Sequence, residues 1–151
     1  MRCEASRLVT LSPRECLDLL SSAEIGRIVF TDRALPAVQP VNFRLDGDRV
    51  VIRTAAGSKL AAATRNAIVA FEADDIDPAS RTGWSVTAIG HARAVEDPCE
   101  VVQLATLRLE CWAPGERDHF IEIRVEHISG RKIMSGRVNG NVRDEPHVIA
   151  S

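Results

Sequence analysis

An antiparallel β-barrel with short flanking helices, in the mainly-β or α+β class, is the fold this sequence predicts. Three observations lead there. Six stretches carry strand-type patterning, turn signals such as Asp46-Gly47 separate them, and the helical signatures occur singly instead of alternating with strands as βαβ units. The 151 residues suit one domain with a real core. That domain is expected over residues 1–134. Residues 135–151, with two glycines and little apolar periodicity, are expected to form a tail that is mobile or wraps a partner subunit.

The elements follow in order. Ser12-Pro13-Arg14-Glu15 has the form of a capping box with proline at the first helical position, and Leu11 can act as its staple. The helix should run over residues 13–22 and bury Cys16, Leu17 and Leu20. Gly26 opens a strand over 26–31, with its turn at 32–35. A second strand covers 36–45, where Pro40 signals an edge or a bulge. Asp46-Gly47 is a hairpin turn, returning along 49–54. Ser58 can cap an alanine-rich helix over 59–65. An apolar strand at 67–73 precedes a polar loop at 74–82, and a long strand covers 83–95 with Gly90 as a bulge or barrel corner. Asp97-Pro98-Cys99-Glu100 repeats the capping-box pattern, predicting a helix over 98–110. A loop at 111–119 holds Trp112, Pro114 and Gly115. Residues 120–128 then alternate, with Ile121, Ile123 and Val125 on one face and Glu122, Arg124 and Glu126 on the other.

Bulk properties exclude several functions. A formal net charge of −2 and a pI near 6.1 argue against nucleic acid as the main partner. No apolar run reaches the roughly 20 residues of a membrane span, and the start of the chain lacks the build of a signal peptide, so a cytoplasmic protein is expected. Cys3, Cys16, Cys99 and Cys111 have no metal-ligand or redox spacing and are expected as free thiols, with Cys16 and Cys99 as small core residues. His91 reads as a satisfied strand histidine. His119, His127 and His147 share no spacing with an acid pair, and no metal site or catalytic triad is expected.

Chemistry concentrates in the corner from Val50 to Leu60. A strand ends on Arg53 and Thr54, small residues turn the chain at Ala55, Ala56 and Gly57, and a helix starts at Ser58 or Lys59. Unpaired N–H groups at a helix start favour an anion. Arg53 and Lys59 add charge, and the two hydroxyls add donors. The pattern suits a monophosphate. It is not a nucleotide-triphosphate loop, because the earlier glycine and the Gly-Lys-Ser/Thr order are missing. By its residues alone the corner reads equally well as a strand-to-helix turn with a solvated Arg and Lys.

A resemblance covers residues 8–134. Its pieces include Ile25-Gly26-Arg27-Ile28, Gln39-Pro40-Val41-Asn42-Phe43, Ile52-Arg53-Thr54 with Gly57-Ser58-Lys59-Leu60, Val69-Ala70-Phe71-Glu72-Ala73-Asp74, Gly83-Trp84-Ser85-Val86 with Gly90-His91-Ala92, and Ser129-Gly130-Arg131. In order and spacing the chain resembles the small actinobacterial branch of the pyridoxamine 5′-phosphate oxidase-like flavin-binding proteins. The resemblance implies a six-stranded split β-barrel and a homodimer with flavin mononucleotide (FMN) at the subunit interface. Thr54, Ser58 and Lys59 would hold the flavin phosphate, with Arg53 and Leu60 beside them. Gln39, Pro40, Val41 and Asn42 would run along the isoalloxazine ring, with Trp84 and Ser85 contributed toward the same cofactor. Asn42 or Ser85 can bond a ring carbonyl or nitrogen, and Trp84 offers a flat apolar wall, although barrel core is the first reading for it over a stacking partner. Trp112 is open between closing the partner's pocket and surface packing.

The chain departs from vitamin-forming oxidases. The strand beside the flavin carries only its far basic residue, Arg44, and the tail shows no match to their substrate-phosphate segment, so authentic pyridoxamine phosphate oxidation is not expected. Instead, a flavin-dependent oxidoreductase is expected, passing hydride or electrons between a reduced nicotinamide and a small acceptor of unknown identity. The alternatives are a non-catalytic flavin sensor or store, or a deazaflavin- or haem-binding relative. Haem would need an axial histidine, for which His91 and His119 are the candidates.

Overall fold

Residues that alternate between apolar and polar along the sequence alternate between inside and outside in the computed structural model, which describes residues 6–55, 57–107, 109–112 and 119–135. Seven strands and three short helices follow one another as β1 (Arg7–Thr10), α1 (Pro13–Ser22), β2 (Ile25–Asp32), β3 (Leu35–Asp46), β4 (Arg49–Thr54), α2 (Lys59–Ala63), β5 (Ile68–Asp77), β6 (Thr82–Val95), α3 (Pro98–Ala105) and β7 (His119–Met134). All pairings are antiparallel. The strands run β7-β4-β3-β2-β5-β6, and β6 pairs back onto β7, which closes a ring of six. The expected six-stranded architecture is present. The additional strand, β1, hangs on the far end of β7 with Arg7 opposite Met134. Four residues of mixed polarity give a strand of that length no periodicity to be recognised by.

β7 makes the closure possible by its length. Its 16 residues pair with β6 almost throughout, with β4 over 119–124 and with β1 over 131–134. Ile28, Val50, Ile52, Phe71, Val86, Ile121 and Ile123 are fully or almost fully buried inside the ring. α1 plugs one end, fixed by the expected box: Ser12 Oγ accepts from Glu15 N, and a Glu15 carboxylate oxygen accepts from Ser12 N. It buries Cys16, Leu19 and Leu20, so Leu19 takes the place foreseen for Leu17, which is half-buried. Burial pushes the Cys16 thiol pKa up, consistent with an inert core thiol. A second, smaller core lies outside the ring, where Leu104 and Leu109 cover Val51, Val95 and Phe120.

Several boundaries differ from the sequence expectation. β5 continues through the acidic run to Asp77, because Asp74 to Asp77 pair in register with Ser85 to Thr82 and point their carboxylates outward; only 78–81 turn. Pairing of the backbone there overrides the low strand preference of aspartate. α3 ends at Ala105, not 110, and Thr106 closes it by donating its hydroxyl to Gln103 O at 2.6 Å. Its start is half a box. Asp97 accepts from Cys99 N at 2.8 Å, but Glu100 turns instead to Arg93 at 3.1 Å. Cys99 is exposed, not core, since the helix presents Leu104 to the barrel.

Pro40 and Gly90 sit where backbone geometry requires them. β3 pairs with β4 only over 43–46, while residues 35–42 pair with β2 alone, so Pro40 lies on a free edge that asks for no N–H. At Gly90 the β6–β7 register shifts, and a Cβ there would run into the Arg124 carbonyl oxygen.

Candidate functional site

β3 leaves β4 at Phe43, and the gap that opens beyond this fork is the candidate site. Its walls are Gln39, Pro40, Val41 and Asn42 from β3, Arg53 and Thr54 from β4, Leu60 from α2 and Cys111 from the segment before β7, around a cavity of about 90 Å³. The chain thus brings together seven of the sequence-selected residues, drawn from three elements.

The corner from Val50 to Leu60 is built from short-range bonds. Thr54 is 3% exposed, and its hydroxyl lies 3.2 Å from Ser58 Oγ. Ser58 Oγ also accepts from Ala61 N at 3.0 Å, capping α2. The helix is only five residues long, so its dipole contributes little, and the hydroxyl pair carries more of the corner than the sequence pattern implied. Gly57 turns the chain with a φ of +70°, a conformation that favours glycine. Lys59 does not turn to the cavity: its side chain is 76% exposed and its ammonium lies 3.5 Å from Asp32 Oδ2 at the end of β2. Arg53 places its guanidinium 5.6 Å from the centroid of the Phe120 ring, a cation–π contact that fixes the stem of the side chain.

Trp84 and Ser85 are not at this corner. Ser85 pairs with Arg131 and Trp84 with Lys132 on β7, whereas Thr54 pairs with His119. Neither lines the cavity, and Ser85 lies across the ring, level with the Asn42 end of β3 through the β3–β2–β5–β6 pairings. Trp84 is half-buried and packs against the ring's core.

Two features of the site were not foreseen. Cys111 lines the cavity, and its Sγ lies 3.7 Å from the Arg53 carbonyl oxygen. The neighbouring Trp112 N–H donates to Asn42 Oδ1 at 3.0 Å. Asn42 therefore has a structural bond as well as a place on the wall. The sequence offered no signal for either, because both contacts join residues 58 or more positions apart. The remaining loop residues, Pro114 and Gly115, lie outside the described residues, as do Cys3, Ala56, His147 and the tail from 136 to 151.

His91 and His119, the axial-ligand candidates, are on different walls. His91 Nδ1 is bonded to a Glu126 carboxylate oxygen on the outer face of β6, while His119 pairs with Thr54 in the strand ladder. Among the described residues no group of three or more His, Cys, Asp or Glu is arranged to hold a metal.

Similarity to known proteins settles the family. The model of the pyridoxamine 5′-phosphate oxidase family matches residues 12–132. The chain belongs to that family. It is 40% identical over 136 residues to an uncharacterized protein of Mycobacterium tuberculosis, Rv0080, covering 87% of this chain and 89% of that one. Among solved structures it is similar to an FAD-binding protein of Mycobacterium smegmatis, at 36% identity and a TM-score of 0.66, covering 83% and 98% of the two chains. A protein of Corynebacterium glutamicum aligns with a TM-score of 0.75 at 32% identity, covering 85% and 99%. The family match spans the whole ring of strands, from the cap of α1 to the end of β7.

Proposed function

We propose that this chain is a flavoprotein that binds FMN at the β3–β4 fork and works as an oxidoreductase between a reduced nicotinamide and a small acceptor. The observation that carries the reading is the convergence of residues 39–42 with Arg53, Thr54 and Leu60 on one cavity, beside the Thr54–Ser58 hydroxyl pair. The hydroxyl pair suits a phosphate. The β3 edge over 39–42, paired only with β2, offers backbone groups along one side of a flat ring. The FAD-binding relative from M. smegmatis supports a flavin ligand. When bound, the flavin supplies the redox chemistry; the protein's own residues grip it and shield one face.

A cavity of about 90 Å³ holds only one end of a flavin, against roughly 300–1,000 Å³ for an ordinary ligand pocket. A second copy of the chain completes it in this reading, with Trp84 and Ser85 contributed toward the same cofactor. The outer wall suits such a dimer. Val38, Val29, Ala70 and Ile89 stand opposite one another in register across β3, β2, β5 and β6, and Val38 and Ile89 are 63% and 41% exposed. Equilibrium titration with FMN and FAD, read alongside the mass of the assembly, tests the reading. One FMN per chain in a dimer is expected. Failure to bind either flavin rejects it, and exclusive binding of FAD replaces FMN.

A further inference from the structure

Beside the small cavity lies a larger one of about 390 Å³, and the two share Asn42. Its walls are the last turn of α1 and the residues after it, Asn42 to Arg44 of β3, and the segment ending in Trp112. The volume falls within the range of small-molecule pockets.

Trp112 is the unusual wall. The residue remains largely uncovered at 65% exposure, yet its backbone is held: the Trp112 backbone N–H donates to Asn42 Oδ1 at 3.0 Å, and the preceding Cys111 meets the Arg53 carbonyl. A backbone tied in this way to β3 and β4 leaves an exposed indole, with its π face, as one wall of the groove. Such a face attracts a planar cation more than a neutral or anionic ring. The charges around it have the matching sign. Glu24 and Glu110 both line the groove with exposed carboxylates. α1 ends there with no basic residue in its last turn, so the negative end of its dipole has the same sign as the two carboxylates. Arg44 is the one cation among the lining residues, and it is itself engaged in an interaction.

We propose that this groove is a second ligand subsite, for a planar cationic nitrogen heterocycle of the pyridinium class, with Trp112 as its stacking wall and Glu24 and Glu110 as its counter-charges. An oxidised nicotinamide ring has that chemistry. The subsite then holds the oxidised form more tightly than the neutral reduced form, next to the residues proposed to border the flavin ring. Its role in turnover rests on the flavin reading; its binding preference does not.

The test uses the full chain without flavin, titrated with 1-methylnicotinamide and with neutral nicotinamide as the uncharged comparison. Fluorescence of Trp112 is read in a Trp84→Phe background, and calorimetry on the unaltered chain gives the same constants if that variant folds poorly. Saturable quenching is expected, with the cation bound about fivefold or more tightly than the neutral ring. The double variant Glu24→Gln, Glu110→Gln should remove that preference while leaving FMN retention unchanged. Equal affinity for the two rings, quenching that never saturates, or displacement of the pyridinium by FMN overturns the assignment. A chain that retains flavin but shows no cation preference loses this subsite alone. One that binds the pyridinium but no flavin keeps the subsite and loses the flavin reading.

Discussion

Thr54 and Ser58 form the part of the proposed phosphate corner in which side chains already converge, with hydroxyls 3.2 Å apart, while Lys59 is drawn off to Asp32. A hydrogen bond to a charged group is worth roughly 1.5–3 kcal/mol, so Thr54→Ala or Ser58→Ala should weaken FMN binding about tenfold or more. Lys59→Ala, an exposed and screened charge, should cost a few-fold at most. Flavin titration of the three variants checks the order, and Lys59 as the largest effect contradicts it. A second residue-scale consequence concerns Glu72. Burial, then hydrogen bonding with Asp74 and its charge, push the Glu72 pKa up from 4.5 to about 7, against the pull of Arg27. A carboxyl whose pKa rises on folding stabilises the fold below about pH 4.5 and loses that contribution as pH climbs toward 7. Glu72→Gln should therefore gain on the parent chain by about 2–4 °C in melting temperature between pH 5 and pH 8. A gap that does not change with pH contradicts the shift. The grouping of Thr54, Ser58 and Arg53 in one corner was readable because they lie within six positions of chain; Cys111 and the Asn42–Trp112 bond were not, because folding alone brings their partners together.

Turns and register carry the argument at the scale of elements. The β2–β3 hairpin turns on Arg33 and Ala34, both left-handed at φ 51° and 65°, although neither is a glycine. Side chains resist that region, so Ala34→Gly should stabilise the protein by about 1 kcal/mol in denaturant unfolding; a loss of stability would show that the Cβ has a compensating contact. Gly90→Ala should act the other way. The bulge brings the Arg124 carbonyl against the α-carbon, so the added methyl must displace the β6–β7 register, at a cost of about 2 kcal/mol or more. An unchanged unfolding midpoint contradicts that close approach. The capping box, the Asp46-Gly47 turn, the Pro40 edge and the Gly90 bulge were all legible, because each is set by two to four adjacent residues. β1, the acidic end of β5 and the early end of α3 were not. Their limits are set by what pairs or packs beside them, and no local periodicity encodes a neighbour.

For the whole molecule, closure of β6 onto β7 determines what one chain can do. It places the β3–β4 fork on one side of the ring and Trp84 with Ser85 on the strand across from it. The order of motifs made the ring predictable and the family recognisable. Which strands face one another is a property of the closed ring, which strand order in the sequence does not reveal. No helix among the described residues is long and apolar enough to cross a membrane. The absorption spectrum of the chain purified without added cofactor tests the central claim most directly. A flavoprotein shows two bands, in the near-ultraviolet and the blue, that bleach on reduction. A colourless chain that takes up no added FMN contradicts the account, as does a chain whose only visible band is a sharp haem absorption.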